Sequence, residues 1–151
     1  FHEQARRTFD LANRFGDSVS CIYIDLNDFK PINDRHGHEV GDLVLKKFAQ
    51  YVLSRIRRTD TLARLGGDEF AILLPRLNYI QATRLKDHLR ENLTYVSLAE
   101  EGYPEISLSA SFGVATTRPD ICSFEEILNR ADSAMYEEKE KSKKEKLAKE
   151  S

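Results

Sequence analysis

The stretch Arg64-Leu65-Gly66-Gly67-Asp68-Glu69-Phe70 decides how this chain is read. Apolar runs flank it, Thr61 to Leu65 before and Phe70 to Leu74 after. A Gly-Gly pair between two such runs predicts a tight hairpin whose turn needs positive φ. The tip of that hairpin carries two carboxylates, Asp68 and Glu69, beside residues with no side chain. A phosphate or a metal ion can therefore come close to the backbone there.

Upstream, Val19 to Leu26 is an apolar run broken by Asp25, the pattern of a strand buried on both faces with a carboxylate at its end. Asn27 to His38 holds Asp28, Lys30, Pro31, Asn33, Asp34 and Gly37, which predicts a polar loop suited to ligand binding. From Glu39 the residues Val40, Leu43, Val44, Phe48, Tyr51, Val52 and Ile56 predict a long helix, with His38 and Asp42 four apart on one face near its start. At the beginning, Phe1, Ala5, Phe9 and Ala12 recur at helical spacing and Gly16 offers a stop. A chain that opens inside a helix is expected to continue upstream in its natural parent.

Downstream, Asn78 is the expected N-cap of a helix carrying Ala82, Leu85, Leu89 and Leu93. Ile106, Leu108, Ala110, Phe112 and Val114 alternate with small residues, the clearest two-residue period in the chain, and predict a strand. Ser123-Phe124-Glu125-Glu126 reads as a capping box opening a last helix with the stripe Phe124, Ile127, Leu128, Ala131 and Met135. Lys139 follows one turn later on that stripe. Beyond Glu137 nearly every residue is Lys or Glu, so residues 142–151 are expected to be a charged helical extension or linker after a domain spanning residues 1–141.

The order strand, helix, strand, strand, helix, strand is a split βαβ arrangement, an α+β fold with helices packed around one central sheet. In it the third strand inserts antiparallel between the first two. Asp25 and Asp68 are then expected to face each other across neighbouring strands.

A chain of 151 residues, 40% hydrophobic and 32% charged, has the size and composition of one globular domain. A formal net charge of -2 gives no overall attraction to nucleic acid polymers or anionic membranes, so a phosphate ligand would need a local cluster of cations or a metal. Cys21 and Cys122 are far apart and each lies beside apolar residues, which argues against a disulfide framework or a zinc site and favours a reducing cytoplasm. No signal peptide or membrane-spanning run is evident, although a membrane-attached parent could carry this domain on its cytosolic side.

Two carboxylates meeting at a sheet edge beside a lysine-bearing loop suit Mg²⁺, whose oxygen ligands are completed by water and nucleotide phosphates. The plainer alternative makes Asp68 and Glu69 turn residues and Asp25 the end of a strand. An unpaired carboxylate inside an otherwise buried run is costly, which weighs against that alternative. Asn33, His38 and Asp42 could read a guanine edge, or could serve as a turn cap, a surface histidine and a helix-dipole partner. Lys30 and Lys139 are candidate phosphate ligands, and Arg57 and Asp60 form an Arg-x-x-Asp spacing before the glycines.

Taken together, Asp25-Leu26-Asn27-Asp28-Phe29-Lys30, Asn33-Asp34, Gly37-His38, Gly41-Asp42, Arg64 to Phe70, Ser111-Phe112-Gly113, Ala131-Asp132, Tyr136 and Lys139 resemble the GGDEF domain of diguanylate cyclases over essentially the whole chain. The resemblance implies a fold similar to nucleotidyl cyclase and polymerase palm domains. It implies condensation of two GTP into cyclic di-GMP with release of two pyrophosphates, one GTP on each domain of a homodimer. By resemblance, Asp25, the carbonyl of Leu26, Asp68 and Glu69 would bind Mg²⁺, with Mn²⁺ as a substitute, and Asp68 would take the 3′-hydroxyl proton. Asn33 and Asp42 would read guanine, His38 would line the pocket, and Lys30 and Lys139 would meet the phosphates. Arg57 and Asp60, with Arg90, would form an inhibitory product site for cyclic di-GMP. An attached sensor or phosphodiesterase domain is expected in the full-length protein.

The sequence departs from the family in two places. The Leu-Thr-x-Leu-x-Asn-Arg segment that usually precedes the domain is not in this sequence. The Gly-Arg-Asn after the last lysine is replaced by Ser142-Lys143-Lys144, so Lys143 keeps a positive charge without the planar fork of arginine. A module that senses GTP or cyclic di-GMP for an attached domain is the competing expectation. A purely dimerising scaffold is a third.

Overall fold

The computed structural model describes residues 2–118 and 123–150. Phe1 and Cys122, both used in the reading above, lie outside the described residues. The elements are α1 (His2–Arg14), β1 (Val19–Leu26), α2 (Phe29–His36), α3 (His38–Leu53), β2 (Thr61–Gly66), β3 (Glu69–Pro75), α4 (Tyr79–Leu93), β4 (Ala110–Thr116) and α5 (Phe124–Glu150).

The four strands form one antiparallel sheet in the order β2-β3-β1-β4. The sheet is thus the expected α+β split arrangement, with β3 between β2 and β1. Every residue of β1 is buried, and the alternation of its side chains feeds two cores. Ile22, Ile24 and Leu26 join Phe48, Val52 and Leu89 of α3 and α4 on one face, while Cys21 and Tyr23 join Phe9 of α1 and Ile127, Ala131 and Met135 of α5 on the other. Asp25 has the parity of Cys21 and Tyr23. It therefore points to the α5 side, where the stripe of α5 delivers Lys139.

Gly113 fixes how closely α5 approaches. A Cβ placed there would lie 2.1 Å from the Met135 nitrogen and 2.2 Å from the Ala131 carbonyl oxygen, so only glycine lets the helix backbone rest on β4. On the opposite face Tyr51 donates to the Leu89 carbonyl at 2.7 Å and ties α3 to α4. The N-terminus of α4 carries a reciprocal cap, with Asn78 Oδ1 accepting from Gln81 N and Gln81 Oε1 accepting from Asn78 N, each at 2.9 Å.

Three expectations need correction. Residues Phe29–His36, expected as loop, form a helix. Pro31 falls in its first turn, where a missing N–H leaves no bond broken, and Phe29 and Ile32 pack on the core at a spacing of three. The strand expected to begin at Ile106 begins at Ala110, the partner of Leu26 at the end of β1, and among the described residues only one further backbone bond, from the Asn27 nitrogen to the Ser109 carbonyl at 2.9 Å, lies beyond that pair. The helix expected to reach Ile56 ends at Leu53. The lysine- and glutamate-rich end is a continuation of α5 to Glu150 and is exposed throughout from Lys141.

Candidate active site

The hairpin between β2 and β3 carries Gly67 at φ +48° and a bulge between Arg64 and Gly66. Arg64 Nε donates to the Gly67 carbonyl at 2.8 Å and braces the turn. The Leu26 nitrogen donates to the Asp68 carbonyl at 3.1 Å, which fastens the turn to the end of β1. Asp25 is paired across the sheet with Glu69 on one side and Ser111 on the other. Far-apart carboxylates are thereby gathered at one end of the two inner strands, but the residue that faces Asp25 is Glu69 and not Asp68, which lies in the turn just before β3.

These acids are crowded. Burial, followed by the negative charge of Asp25, raises the Asp68 carboxyl above its ordinary range. Asp132 of α5 is raised too, first by burial and then by Glu69 and Asp25. Sequence reasoning did not single out Asp132 as an electrostatic member of this group, because its place depends on the packing of α5. Glu69 Oε2 accepts from the Tyr23 hydroxyl at 2.6 Å, and burial together with that carboxylate pushes the Tyr23 phenol up.

Lys139 Nζ donates to Asp25 Oδ2 at 2.8 Å, and this bond holds the ammonium above its ordinary range. Asp25 Oδ1 is buried without a hydrogen-bond partner. One lysine thus stands against four carboxylates, and a buried carboxylate oxygen is left unmet. Such a donor set fits a hard divalent cation. Among the described residues no three His, Cys, Asp or Glu side chains are already gathered as a metal-ligand group. Glu69 is turned to Tyr23 and one oxygen of Asp25 is given to Lys139.

A second group lies at the corner between α2 and α3, which meet at Gly37 with φ +91°. A Cβ on Gly41 would sit 1.7 Å from Asn33 Oδ1, so the Asn33 side chain lies directly over Gly41 and beside Asp42. Asn33 Oδ1 is also buried without a partner. Asp42, His38 and Lys30 are exposed, the last in the first turn of α2 just past the end of β1.

A cleft of about 390 Å³ opens beside these acids, lined by Asn27, Asp28, Ser109, Ser111, Lys139 and Lys143. Asn27 Nδ2 donates to Ser109 Oγ at 3.1 Å and Ser111 Oγ donates to Asn27 Oδ1 at 3.0 Å, giving the cleft a neutral polar floor. Lys143 lies 3.8 Å from Glu140.

Arg57 grips Asp60 through its backbone nitrogen at 2.7 Å and its guanidinium at 2.7 Å, and also donates to the Pro75 carbonyl at 2.6 Å. The Asp60 side chain is almost wholly enclosed. Arg57 opens on a different cleft of about 340 Å³, between Leu11, Phe15, Pro75 and Arg76. The structure does not bring Arg90 there. Arg90 lies over the Phe112 ring at 5.4 Å and pairs with Glu138, toward the β4 edge of the sheet.

Comparison with known proteins bears on this arrangement. The family described as "Diguanylate cyclase, GGDEF domain" matches residues 1–145. Diguanylate cyclase A of Treponema denticola is 35% identical over 133 residues, covering 88% of this chain and 36% of that protein. The response regulator PleD of Caulobacter vibrioides is 34% identical over 125 residues, covering 82% of this chain and 28% of that protein. The chain therefore spans about a third of the length of these relatives. The active GGEEF domain of a diguanylate cyclase from Vibrio cholerae superposes with a TM-score of 0.84 at 30% identity, over 92% of this chain and 87% of that one. The GGDEF domain of DgcB from Caulobacter crescentus, solved in complex with c-di-GMP, gives 0.84 at 25% identity, over 93% and 82%. Among the described residues no helix is long and apolar enough to cross a membrane.

Proposed function

The chain belongs to the GGDEF domain family of diguanylate cyclases, and from that premise we propose that it condenses two GTP into cyclic di-GMP and two pyrophosphates. The observation that carries this reading is the meeting of Asp25, Asp68 and Glu69 at one sheet edge, with a buried oxygen of Asp25 unmet beside a lysine-lined cleft.

In each of two equivalent steps a ribose 3′-oxygen forms a bond to the α-phosphorus of the other GTP, and the bond from that phosphorus to the departing pyrophosphate breaks. The 3′-hydroxyl proton passes to the Asp68 carboxylate, which stands at the tip of the hairpin where the metal and the hydroxyl would meet. Asp25, the Leu26 carbonyl, Asp68 and Glu69 are the ligands we assign to Mg²⁺, or Mn²⁺ in its place. Bound there, the cation supplies charge neutralisation at the phosphates and a more acidic hydroxyl. Asp42 accepts from the N–H groups of the guanine edge and the Asn33 amide donates to it, with His38 at the pocket wall. Lys30, Lys139 and Lys143 neutralise the phosphates. Each chain holds one GTP, so the reaction needs two chains face to face.

We further assign Arg57 and Asp60 to a product-binding site for cyclic di-GMP, without Arg90 in its present position. The domain proper runs to residue 141, the charged helical end that follows reaches the site with Lys143 and leads toward an attached domain, and the unit works in the cytosol, where GTP is available.

The test is product formation from GTP and Mg²⁺ across a range of protein concentrations. Turnover that rises more steeply than protein concentration and is lost in Asp68→Asn supports the proposal. Tight GTP binding with no product at any concentration overturns it in favour of a sensing module.

A further inference from the structure

The stripe by which α5 packs on the sheet, Phe124, Ile127, Ala131 and Met135, is buried. Past Met135 the same stripe changes chemistry. Lys139, Lys143 and Lys146 follow at spacings of four and three and so stand on one face of the helix, whereas Lys141 and Lys144 are rotated away from it. The three cover about 10 Å of helix axis at 1.5 Å per residue. All three line the cleft of about 390 Å³ above the floor of Asn27, Ser109 and Ser111.

Their surroundings differ along the row. Lys139 is anchored on Asp25 at 2.8 Å and Lys143 lies 3.8 Å from Glu140. Among the described residues no ion pair engages Lys146, which is exposed. Like charges at these spacings repel one another on a helix, and the row stands together because the helix continues through Ser142 where a glycine would favour its ending. A chain of phosphates that starts at the carboxylates and runs out of the cleft meets Lys143 and then Lys146.

We propose that Lys146 extends the phosphate end of this nucleotide site by one helical turn and makes it selective for nucleoside triphosphates and free pyrophosphate over nucleoside monophosphates. The inference rests on the proposed nucleotide site and adds a specificity-determining residue to it. A monophosphate held at Lys139 leaves Lys146 without a partner. A polyphosphate does not.

The experiment is calorimetric titration of the whole 151-residue chain, in Mg²⁺ at low ionic strength, with a GTP analogue whose α–β bridge is methylene, with GMP and with inorganic pyrophosphate. Lys146→Gln is compared with wild type and with Lys144→Gln, which alters a lysine on another face. The expected result is a loss of roughly three- to tenfold in affinity for the analogue and for pyrophosphate in Lys146→Gln, shrinking as salt is added, with GMP unchanged and Lys144→Gln neutral. Equal affinities in wild type and Lys146→Gln, or a loss that is as large for GMP, overturn the role of Lys146. If wild type binds the analogue while Lys146→Gln is neutral, the row fails and the nucleotide site stands. If wild type binds neither the analogue nor pyrophosphate, both fall.

Discussion

Lys139 and Asp25, 114 residues apart in sequence, are joined by a 2.8 Å hydrogen-bonded ion pair at the carboxyl end of the central strand. The lysine is about a third exposed and the aspartate nearly enclosed, so the two partners lose unequal amounts when the pair is broken. Removing the lysine strands a buried charge, whereas removing the aspartate frees a cation that can turn to water.

Lys139→Met should therefore cost stability, about 1–2 kcal/mol once solvent screening of the partly exposed ammonium is allowed for. If a divalent cation binds Asp25, it should restore part of that loss. Thermal melts of wild type and Lys139→Met with and without Mg²⁺ should show the larger rise in Tm for the variant.

Asp68→Asn should abolish cyclic di-GMP formation, by a factor of at least about 10² if Asp68 carries both metal and proton. Its folded-state pKa is raised by burial and by Asp25, so ionised Asp68 opposes folding. The stability that protonated Asp68 lends at low pH is lost as pH rises through its folded pKa. The amide variant should accordingly be at least as stable as wild type at neutral pH, an advantage that fades in acid. Melts across pH 3 to 7 check the sign.

Two glycines should behave differently when replaced by alanine. At Gly113 the new methyl meets helix backbone that cannot move aside, and a loss of about 3 kcal/mol or more is expected in chemical denaturation. At Gly41 it meets only the end of the Asn33 side chain, so stability should change less. Gly41→Ala should instead weaken discrimination of GTP from ATP, as read by competition binding.

Glu101 pairs with Lys47 at 2.5 Å, and that contact holds the Glu101 carboxyl below its ordinary range. A depressed pKa gives stability that is present above the unfolded value and lost as pH falls through the folded one. Glu101→Gln should lower Tm at neutral pH, and the difference from wild type should close as the solution is acidified below pH 4.

The sheet could be read from the sequence because its signals are local. The run Val19 to Leu26 and the hairpin glycines give both the strands and their pairing, and parity then puts Asp25 on the α5 side. The helix at Phe29–His36 was hidden because eight residues crowded with Asn, Asp and Pro look like turn chemistry, and its support comes from tertiary contacts of Phe29 and Ile32. Asp132 and the separation of Arg90 from Arg57 were illegible for another reason. Both depend on how α4 and α5 lie across the sheet, which residue spacing within a helix does not encode.

The first helix grips the last one at its start, through the Phe9 ring against Phe124 at 6.5 Å and through Arg6 on Glu125. Fifteen residues farther along the same unbroken rod sits Lys139, about 22 Å away at 1.5 Å per residue. An α-helix is stiff along its axis, and the backbone contact at Gly113 holds this one at Ala131 and Met135 as well. The place of the Lys139 ammonium on Asp25 is therefore set by packing that begins about four turns earlier on the same helix and ends one turn before it.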